Sequence, residues 1–189
     1  MNVLMTGVGG QGIILASDIL SEVMMRFGLD VKKSEIHGMA QRGGSVMSHV
    51  RFSRAVSSPL IPYGACDILV SFEELESARY LAYLNRDTRV IVNRFRQAPP
   101  AVIAGKEVYP DVTPLLRERS DRIHMVDGTR IADSLGNPRV LNMVLMGVLS
   151  TLLDPGGELW EEAISDMLPE RIRPLNIDAF RLGRETGLA

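Results

Sequence analysis

The amino-terminal stretch Asn-Val-Leu-Met-Thr-Gly-Val-Gly-Gly-Gln-Gly-Ile-Ile-Leu, residues 2–15, predicts a strand, a glycine turn and the start of a helix. Its first residues, 2–6, predict a short buried strand. Three glycines follow in the spacing of a strand-to-helix turn: Gly7, Gly9 and Gly12. A helix is predicted over residues 11–27, because apolar side chains recur there at helical spacing, and Gly28 is a typical helix stop.

The rest of the chain continues to alternate strands with helices. Further strands are predicted at residues 30–36, 45–52, 66–72, 88–93 and 123–126. Further helices are predicted at residues 73–84, 128–135, 139–153, 158–168 and 176–186, with another opening at Thr113-Pro114. This alternation favours an α/β fold, with a doubly wound, mostly parallel sheet in a Rossmann-like three-layer sandwich and C-terminal helices. We expect residues 1–189 to form a single domain.

Several of these segments also carry predictions about packing. Residues 139–153 are apolar on nearly every side, which predicts a helix buried in the core rather than a membrane span. The helix at 73–84 is predicted to face inward through Leu75, Ala78, Leu81 and Ala82. Residues 97–110 contain three prolines and short β-like pieces, which predict a hairpin or an excursion. An appendage on the edge of the sheet is the alternative for the last two helices.

The composition excludes several classes of protein. The 189 residues include 21 Lys and Arg against 23 Asp and Glu, without the clustered basic face that nucleic-acid binding needs. The sequence has no run of about 18 apolar residues, so no membrane span is expected. A signal peptide has a basic region ahead of its apolar residues, and this N-terminus has none. We therefore expect a cytoplasmic protein.

Cysteine and histidine usage limits the metal chemistry of the chain. The single cysteine, Cys66, excludes an internal disulfide. It also excludes an iron–sulfur cluster held by this chain alone, because such clusters take about four thiolates. His49 and His124 have no ligand partner at a metal-binding spacing, and His37 lies in a glycine-rich loop. We therefore predict no metal site.

The glycine turn fits the G-x-G-x-x-G spacing of dinucleotide-binding proteins. In such a turn the backbone approaches the ligand closely, and the following helix offers free N–H groups to an anion. Glu35 lies near the end of the second predicted strand, where an acidic residue would bind a ribose hydroxyl. Gly10 and Gln11 add a second adjacent glycine and a long amide, which suits a polar contact. An independent NAD(P)- or FAD-binding oxidoreductase is one interpretation, and an empty turn is another.

A second candidate segment, His-Gly-Met-Ala-Gln-Arg-Gly-Gly-Ser at positions 37–45, follows the second predicted strand. Open α/β sheets bind ligands at the carboxyl ends of their strands, where this loop is expected. Arg42 is suited to binding a carboxylate or a phosphate through two hydrogen bonds. Gly43 and Gly44 are suited to offering backbone N–H groups to the same anion. A surface turn with a solvated arginine is the alternative.

Three segments resemble one family: Val-Gly-Gly-Gln-Gly at 8–12, Ser-Glu-Ile-His-Gly-Met-Ala-Gln-Arg-Gly-Gly-Ser-Val at 34–46 and Ser-Pro-Leu-Ile-Pro at 58–62. They resemble the gamma subunits, or gamma domains, of 2-oxoacid:ferredoxin oxidoreductases. Within this family the similarity is greatest to the beta subunit of indolepyruvate:ferredoxin oxidoreductase. The likeness extends over most of the chain and weakens between residues 94 and 122 and after about residue 154.

This resemblance implies a subunit of an enzyme complex. Such enzymes oxidatively decarboxylate a 2-oxo acid, here indolepyruvate or another aryl pyruvate, to an acyl-CoA, and they reduce ferredoxin. The complex is expected to use thiamine diphosphate, Mg, iron–sulfur clusters and coenzyme A. The chain has no Gly-Asp-Gly of a thiamine diphosphate site, and one cysteine. A large thiamine- and iron–sulfur-bearing subunit must therefore supply these cofactors, and the chain is expected to be inactive without it.

The resemblance also implies where the chain would meet the active site. One anion-facing turn is expected from Gly7, Gly9, Gly10, Gln11 and Gly12. The facing loop is expected from His37, Gln41, Arg42, Gly43, Gly44 and Ser45. Arg42 would neutralise a phosphate of coenzyme A or a substrate carboxylate, whereas Gln11 and Gln41 would orient polar groups. No general acid or base is assigned, and a homodimer is an alternative for the isolated chain.

Overall fold

Residues 1–38 and 44–187 are described by a computed structural model, and six strands among them form one sheet. The strands are β1 (Asn2–Val8), β2 (Asp30–His37), β3 (Ser45–Ser53), β4 (Ile68–Ser71), β5 (Arg89–Asn93) and β6 (Arg122–Val126). Their order across the sheet is β2-β3-β1-β4-β5-β6. β1, β4, β5 and β6 are mutually parallel, whereas β3 is antiparallel to both β1 and β2. The predicted mostly parallel α/β sheet is confirmed.

Helices follow the strands in nearly the predicted order. In the described part of the chain they are α1 (Ile13–Arg26), α2 (Glu74–Arg79), α3 (Pro100–Ile103), α4 (Thr113–Arg117), α5 (Gly128–Ser134), α6 (Leu141–Ser150), α7 (Gly157–Met167) and α8 (Arg173–Thr186). Short 3-10 turns are formed by Leu81–Tyr83, Pro138–Val140 and Glu170–Ile172. Within residues 1–38 and 44–187, every helix is too short or too polar to cross a bilayer.

Apolar side chains cover both faces of the sheet. Successive residues of a strand point to opposite faces, so Met5 and Leu4 of β1 belong to different core clusters. Met5 packs in the larger cluster, which includes residues of α1 and of α5 to α8. Leu4 packs in the smaller one with Val112 and Leu116 of the α4 region. This arrangement is the three-layer sandwich that the sequence predicts.

Two segments differ from the sequence prediction. The predicted helix at 73–84 divides into α2 and a 3-10 turn, and Ala82 is exposed instead of facing inward. The β-like pieces at 97–110 do not form strands. Instead, consecutive prolines lead into the short helix α3, because proline fits the first helical position and lacks the N–H that a strand pairing needs. The excursion alternative is therefore correct, and the hairpin alternative is wrong.

The prediction of a buried helix near 139–153 is confirmed by α6. All ten residues of α6 are buried. The helix begins at Leu141, later than predicted, and Arg139 lies exposed in the preceding 3-10 turn. The C-terminal helices extend this layer, because α8 packs on α6 and α7 packs on α1. They are therefore not an appendage on the edge of the sheet.

The contact between α6 and α8 depends on two glycines that face each other. A Cβ placed on Gly147 would lie 2.1 Å from the carbonyl oxygen of Phe180. A Cβ placed on Gly183 would lie 2.0 Å from the carbonyl oxygen of Val144. These neighbours are backbone atoms, which cannot move aside as a flexible side chain can. Only glycine at both positions allows the two helices to approach this closely.

We expect Gly147→Ala to lower the free energy of unfolding by about 3 kcal/mol or more, because the methyl group must push the two helix backbones apart. The matched control is Gly156→Ala, where no neighbouring atom lies within 4 Å of the added carbon. That change is expected to cost at most about 1 kcal/mol, as a weaker helix cap. Urea unfolding measures the stability of both variants. Equal stability of the Gly147→Ala and wild-type proteins would contradict the close contact between α6 and α8.

Candidate functional site

The carboxyl edge of the sheet brings the two glycine-rich segments together. The N–H of Gly9 donates to the carbonyl of Gly44 at 2.8 Å, and the N–H of Gly38 donates to the carbonyl of Ser45 at 2.9 Å. Val8 and Ser45 form the last residue pair between β1 and β3. The turn that follows β1 and the segment that enters β3 therefore lie side by side.

Most of the predicted site residues lie at this edge. The turn after β1 contains Gly9, Gly10, Gln11 and Gly12, and Gly44 and Ser45 lie beside it. The backbone of His37 ends β2 opposite Val46. Gln41, Arg42 and Gly43 lie outside the described residues. Gly7 is paired within β1 and is therefore part of the strand, not of the turn.

The side chain of Gln11 has a different role from the one expected. Its Oε1 accepts a hydrogen bond from the N–H of Val8 at 2.7 Å, and its Nε2 donates to the carbonyl of Phe72 at 3.2 Å. Both ends of the amide are thus used by the backbone at the ends of β1 and β4. An amide at the start of a helix can serve backbone or ligand equally well, so the sequence could not separate these roles.

Gly12 allows α6 to approach the turn. Its φ angle is +79°, and a Cβ there would lie 2.7 Å from Nδ2 of Asn142. Asn142 Nδ2 donates to the carbonyl of Gly12 at 3.4 Å. Gly12 precedes α1 without a side-chain cap. The first N–H groups of α1 therefore have no side-chain cap from Gly12, and the binding of an anion there stays a prediction.

Ser45 connects the second glycine-rich segment to α2. Its hydroxyl donates to the carboxylate of Glu76 and lies 2.8 Å from the hydroxyl of Tyr80. Glu76 is buried and also accepts a hydrogen bond from Nε of Arg79 at 2.7 Å. Ser45 therefore fixes the base of the loop to the helix.

An open cleft of about 360 Å³ lies beside the turn. It is lined by Gly9, Gly10, Gln11, Phe95, Gln97, Thr129, Pro138, Arg139 and Leu141. Four residues of this cleft outside the turn could bind a ligand, and the sequence did not indicate them: Phe95, Gln97, Thr129 and Arg139. Arg139 was assigned to the buried helix, although the preceding Asn137-Pro138 marks a break in the chain where an exposed side chain is expected.

The cleft combines one cation with polar donors and an apolar wall. Arg139 is exposed and forms no ion pair with any described residue. The hydroxyl of Thr129 accepts a hydrogen bond from Nδ2 of Asn93 at 2.9 Å, which leaves its own hydrogen for a ligand. Phe95 and Leu141 supply apolar surface. This arrangement suits an anionic ligand that also carries an apolar or flat group.

A larger open cleft, of about 940 Å³, lies at the opposite edge of the sheet. Two of its three arginines are already paired, since Arg122 lies 3.4 Å from Asp87 and Arg86 lies 3.3 Å from Asp121. Open α/β sheets bind ligands at the carboxyl ends of their strands, and this cleft is at the amino ends. We therefore take the smaller cleft, at the carboxyl edge, as the candidate site.

Comparison with known proteins identifies the family. The family described as "Pyruvate ferredoxin/flavodoxin oxidoreductase" matches residues 2–186. The chain belongs to this family.

Individual members show the extent of the similarity. Subunit IorB of the indolepyruvate oxidoreductase of Archaeoglobus fulgidus is 39% identical over 97% of this chain and 93% of its own. The gamma subunit of a keto/oxoacid ferredoxin oxidoreductase from Geobacter sulfurreducens has the same fold, with a TM-score of 0.73, 24% identity, and coverage of 99% of this chain and 98% of that chain.

A third protein, 2-oxoglutarate:ferredoxin oxidoreductase from Magnetococcus marinus, was solved with 2-oxoglutarate, coenzyme A and succinyl-CoA bound. Its TM-score is 0.76 at 23% identity, over 98% of this chain but 30% of that chain. The fold of our chain is thus one part of that larger polypeptide. The chain is a small subunit of the 2-oxoacid:ferredoxin oxidoreductase type.

Nothing in these comparisons supports the NAD(P) or FAD interpretation. The two sequence features behind that interpretation, the glycine turn and Glu35, also lie apart in the structure. Glu35 lies on β2, and β3 lies between β2 and the turn that follows β1. Lys33 Nζ binds the carboxylates of both Glu35 and Asp18. Glu35 is therefore not beside the glycine turn, where a ribose hydroxyl would need it.

Cys66 and two of the histidines are buried to different extents. Burial raises the pKa of the Cys66 thiol to about 12, which disfavours the thiolate that binds metals. Burial also lowers the pKa of His49, whose Nδ1 accepts the N–H of Ile61 at 3.2 Å. Burial, and secondarily Arg89, lowers the pKa of His124. Among residues 1–38 and 44–187, no three His, Cys, Asp or Glu side chains are grouped to hold a metal ion.

We expect Gln11→Glu to lower the free energy of unfolding by about 2 kcal/mol. The carbonyl of Phe72 would keep its donor Nδ2 of Asn93, but it would lose the donor Nε2 of Gln11 and meet a carboxylate oxygen instead. Gln97→Glu makes the same chemical change at an exposed position and is expected to leave stability nearly unchanged. Both are measured by urea unfolding of the isolated chain. Equal effects of the two substitutions would show that the amide of Gln11 is not committed to the backbone.

Proposed function

We propose that this chain closes the active site of a 2-oxoacid:ferredoxin oxidoreductase whose thiamine diphosphate, Mg and iron–sulfur clusters are held by a larger partner subunit. The complex would oxidatively decarboxylate a 2-oxo acid to an acyl-CoA and reduce ferredoxin. The 39% identity to the IorB subunit of an indolepyruvate oxidoreductase supports an aryl pyruvate as substrate. The expectation of a cytoplasmic location stays a prediction.

The observation that carries this proposal is the cleft at the carboxyl edge. The glycine turn, Arg139 and Thr129 all line this cleft. Because Arg139 has no ion-pair partner among the described residues, its charge is available to a ligand. Within the proposed enzyme, the anionic ligand that suits this cleft is coenzyme A, through one of its phosphates.

The residues of the cleft fit coenzyme A chemically. Arg139 would bind a phosphate, and the hydroxyl of Thr129 would donate to it. Phe95 offers a half-buried aromatic surface for an apolar or flat part of the molecule. When bound, coenzyme A supplies the thiol that accepts the acyl group. Arg42, outside the described residues, stays a second candidate for a phosphate or the substrate carboxylate.

The residues of this chain would bind and position the anionic groups of the ligand. The one cysteine of the sequence is buried in the core cluster under β4, with its pKa raised to about 12. It therefore cannot serve as an exposed thiolate ligand. We expect the partner to supply all cluster ligands, and this chain to exclude water from one side of the active site and to bind anionic groups there.

Co-expression tests the proposal. The chain is expressed alone and together with candidate large subunits that contain Gly-Asp-Gly and cysteine-cluster motifs, and the products are purified. Dye-linked oxidation of indolepyruvate, pyruvate and 2-oxoglutarate is then measured with and without coenzyme A. We expect a copurifying complex with coenzyme A-dependent activity and an inactive isolated chain. Full activity of the isolated chain, or the absence of a complex with every candidate, would refute the proposal.

Variants of the complex locate the coenzyme A contact. We expect Arg139→Gln to raise the KM for coenzyme A by about tenfold or more with little change in kcat, because a charge-assisted hydrogen bond to a phosphate is lost. Arg119→Gln removes the same charge from an exposed position at the amino edge and is the matched control. Equal KM values for coenzyme A in the two variants would show that Arg139 does not contact coenzyme A.

A further inference from the structure

A buried carboxylate lies behind the wall of the candidate cleft. Glu73 directly precedes α2 and has 1% of its surface exposed. A buried carboxylate is costly unless its oxygens accept hydrogen bonds. The sequence predicts only that Glu73 begins a helix whose apolar residues face inward.

The two oxygens of Glu73 serve different parts of the structure. Oε2 accepts the N–H of Glu76 at 2.9 Å and so caps α2. Oε1 accepts the N–H of Gln97 at 2.9 Å and the hydroxyl of Tyr109 at 2.5 Å. A helix cap uses a single oxygen. The second oxygen is therefore free to connect α2 to the segment after β5.

The segment held by Oε1 is a wall of the cleft. Phe95 and Gln97 both line it. The carbonyl of Phe95 accepts the N–H of Glu74 at 3.0 Å, and Nε of Arg96 lies 2.7 Å from the carboxylate of Glu74. Every residue of 95–97 is thus bonded to residue 73 or 74.

Tyr109 completes the contact from the far end of the 97–110 excursion. Burial raises the pKa of its phenol, and the hydrogen bond to Glu73 raises it further, so the hydroxyl stays protonated and donates. The same oxygen accepts the N–H of Leu75 at 2.9 Å. The ring lies under the guanidinium of Arg96, 5.3 Å from its carbon to the ring centre. Both ends of the excursion therefore meet at Glu73.

We propose that Glu73 is a positioning residue, which holds the Phe95–Gln97 wall in the shape that binds coenzyme A. This proposal rests on the proposed function, since it assigns a role at the same cleft. Glu73 lies behind the wall and acts on the ligand through Gln97 and Phe95. A purely structural role would require only the cap on α2, which Oε2 provides by itself.

Two substitutions separate the wall from the cap. Glu73→Ala removes both oxygens and therefore loses the contacts to the wall together with the cap. Tyr109→Phe leaves the cap intact and removes the hydroxyl that ties the excursion to Glu73. Glu107→Gln is the control, because it removes the same charge from an exposed position of the excursion.

Hydrogen exchange of the isolated chain gives the first readout. We expect the amide of Gln97 to exchange about tenfold faster in Glu73→Ala, since a hydrogen bond to a carboxylate is lost. Exchange across 95–109 is expected to rise in Tyr109→Phe, and to stay at the wild-type rate in Glu107→Gln. Unchanged exchange in both test variants would overturn the proposal, because Glu73 would then not hold the wall.

Kinetics of the assembled complex give the second readout. We expect both test variants to raise the KM for coenzyme A by about tenfold with kcat within about twofold of wild type. A subunit that is merely less stable would lower the amount of active enzyme and leave KM unchanged. Faster exchange with an unchanged KM would overturn the positioning role. A wild-type complex without coenzyme A-dependent activity would refute the proposed function itself, which the exchange experiment does not involve.

Discussion

The hydrogen bond from the N–H of Gly9 to the carbonyl of Gly44, 2.8 Å long, is the contact on which the candidate site depends. It exists because β3 runs antiparallel to β1, which brings the start of β3 to the carboxyl edge of the sheet. The connection from β2 to β3 then begins and ends at the same edge as the glycine turn. In a wholly parallel sheet, a strand next to β1 would instead begin at the opposite edge, far from that turn.

Helix α2 organises the edge around this contact. The acidic side chains of α2 and of its cap, Glu73, are buried, and each contacts a different neighbour: Glu73 binds Gln97, Glu74 binds Arg96 and Glu76 binds Ser45. The start of β3 and the segment 95–97, on either side of the glycine turn, are thereby fixed to one short helix. Burying three carboxylates is costly, and each is compensated by directed hydrogen bonds. The shape of the edge thus depends on polar contacts as well as on the apolar core.

The sequence predicts the layers of this fold better than it predicts the site. Periodicity gave the strands, α1 and the buried α6, because those signals are local and repeat along the chain. It could not show that Gln11 binds the carbonyl of Phe72, or that Glu73 binds Gln97, because these partners are 61 and 24 residues apart. Arg139 was missed for a similar reason, since only the folded chain brings it beside the glycine turn.

In the proposed complex, the carboxyl edge of the sheet faces the cofactor-bearing partner. Hydrogen exchange of this chain, alone and in the purified complex, tests this orientation. We expect assembly to slow exchange at residues 9–12 and 94–97, and to leave exchange at residues 64–67 and 85–88 of the amino edge unchanged. Slower exchange at the amino edge, with the carboxyl edge unaffected by assembly, would contradict this orientation.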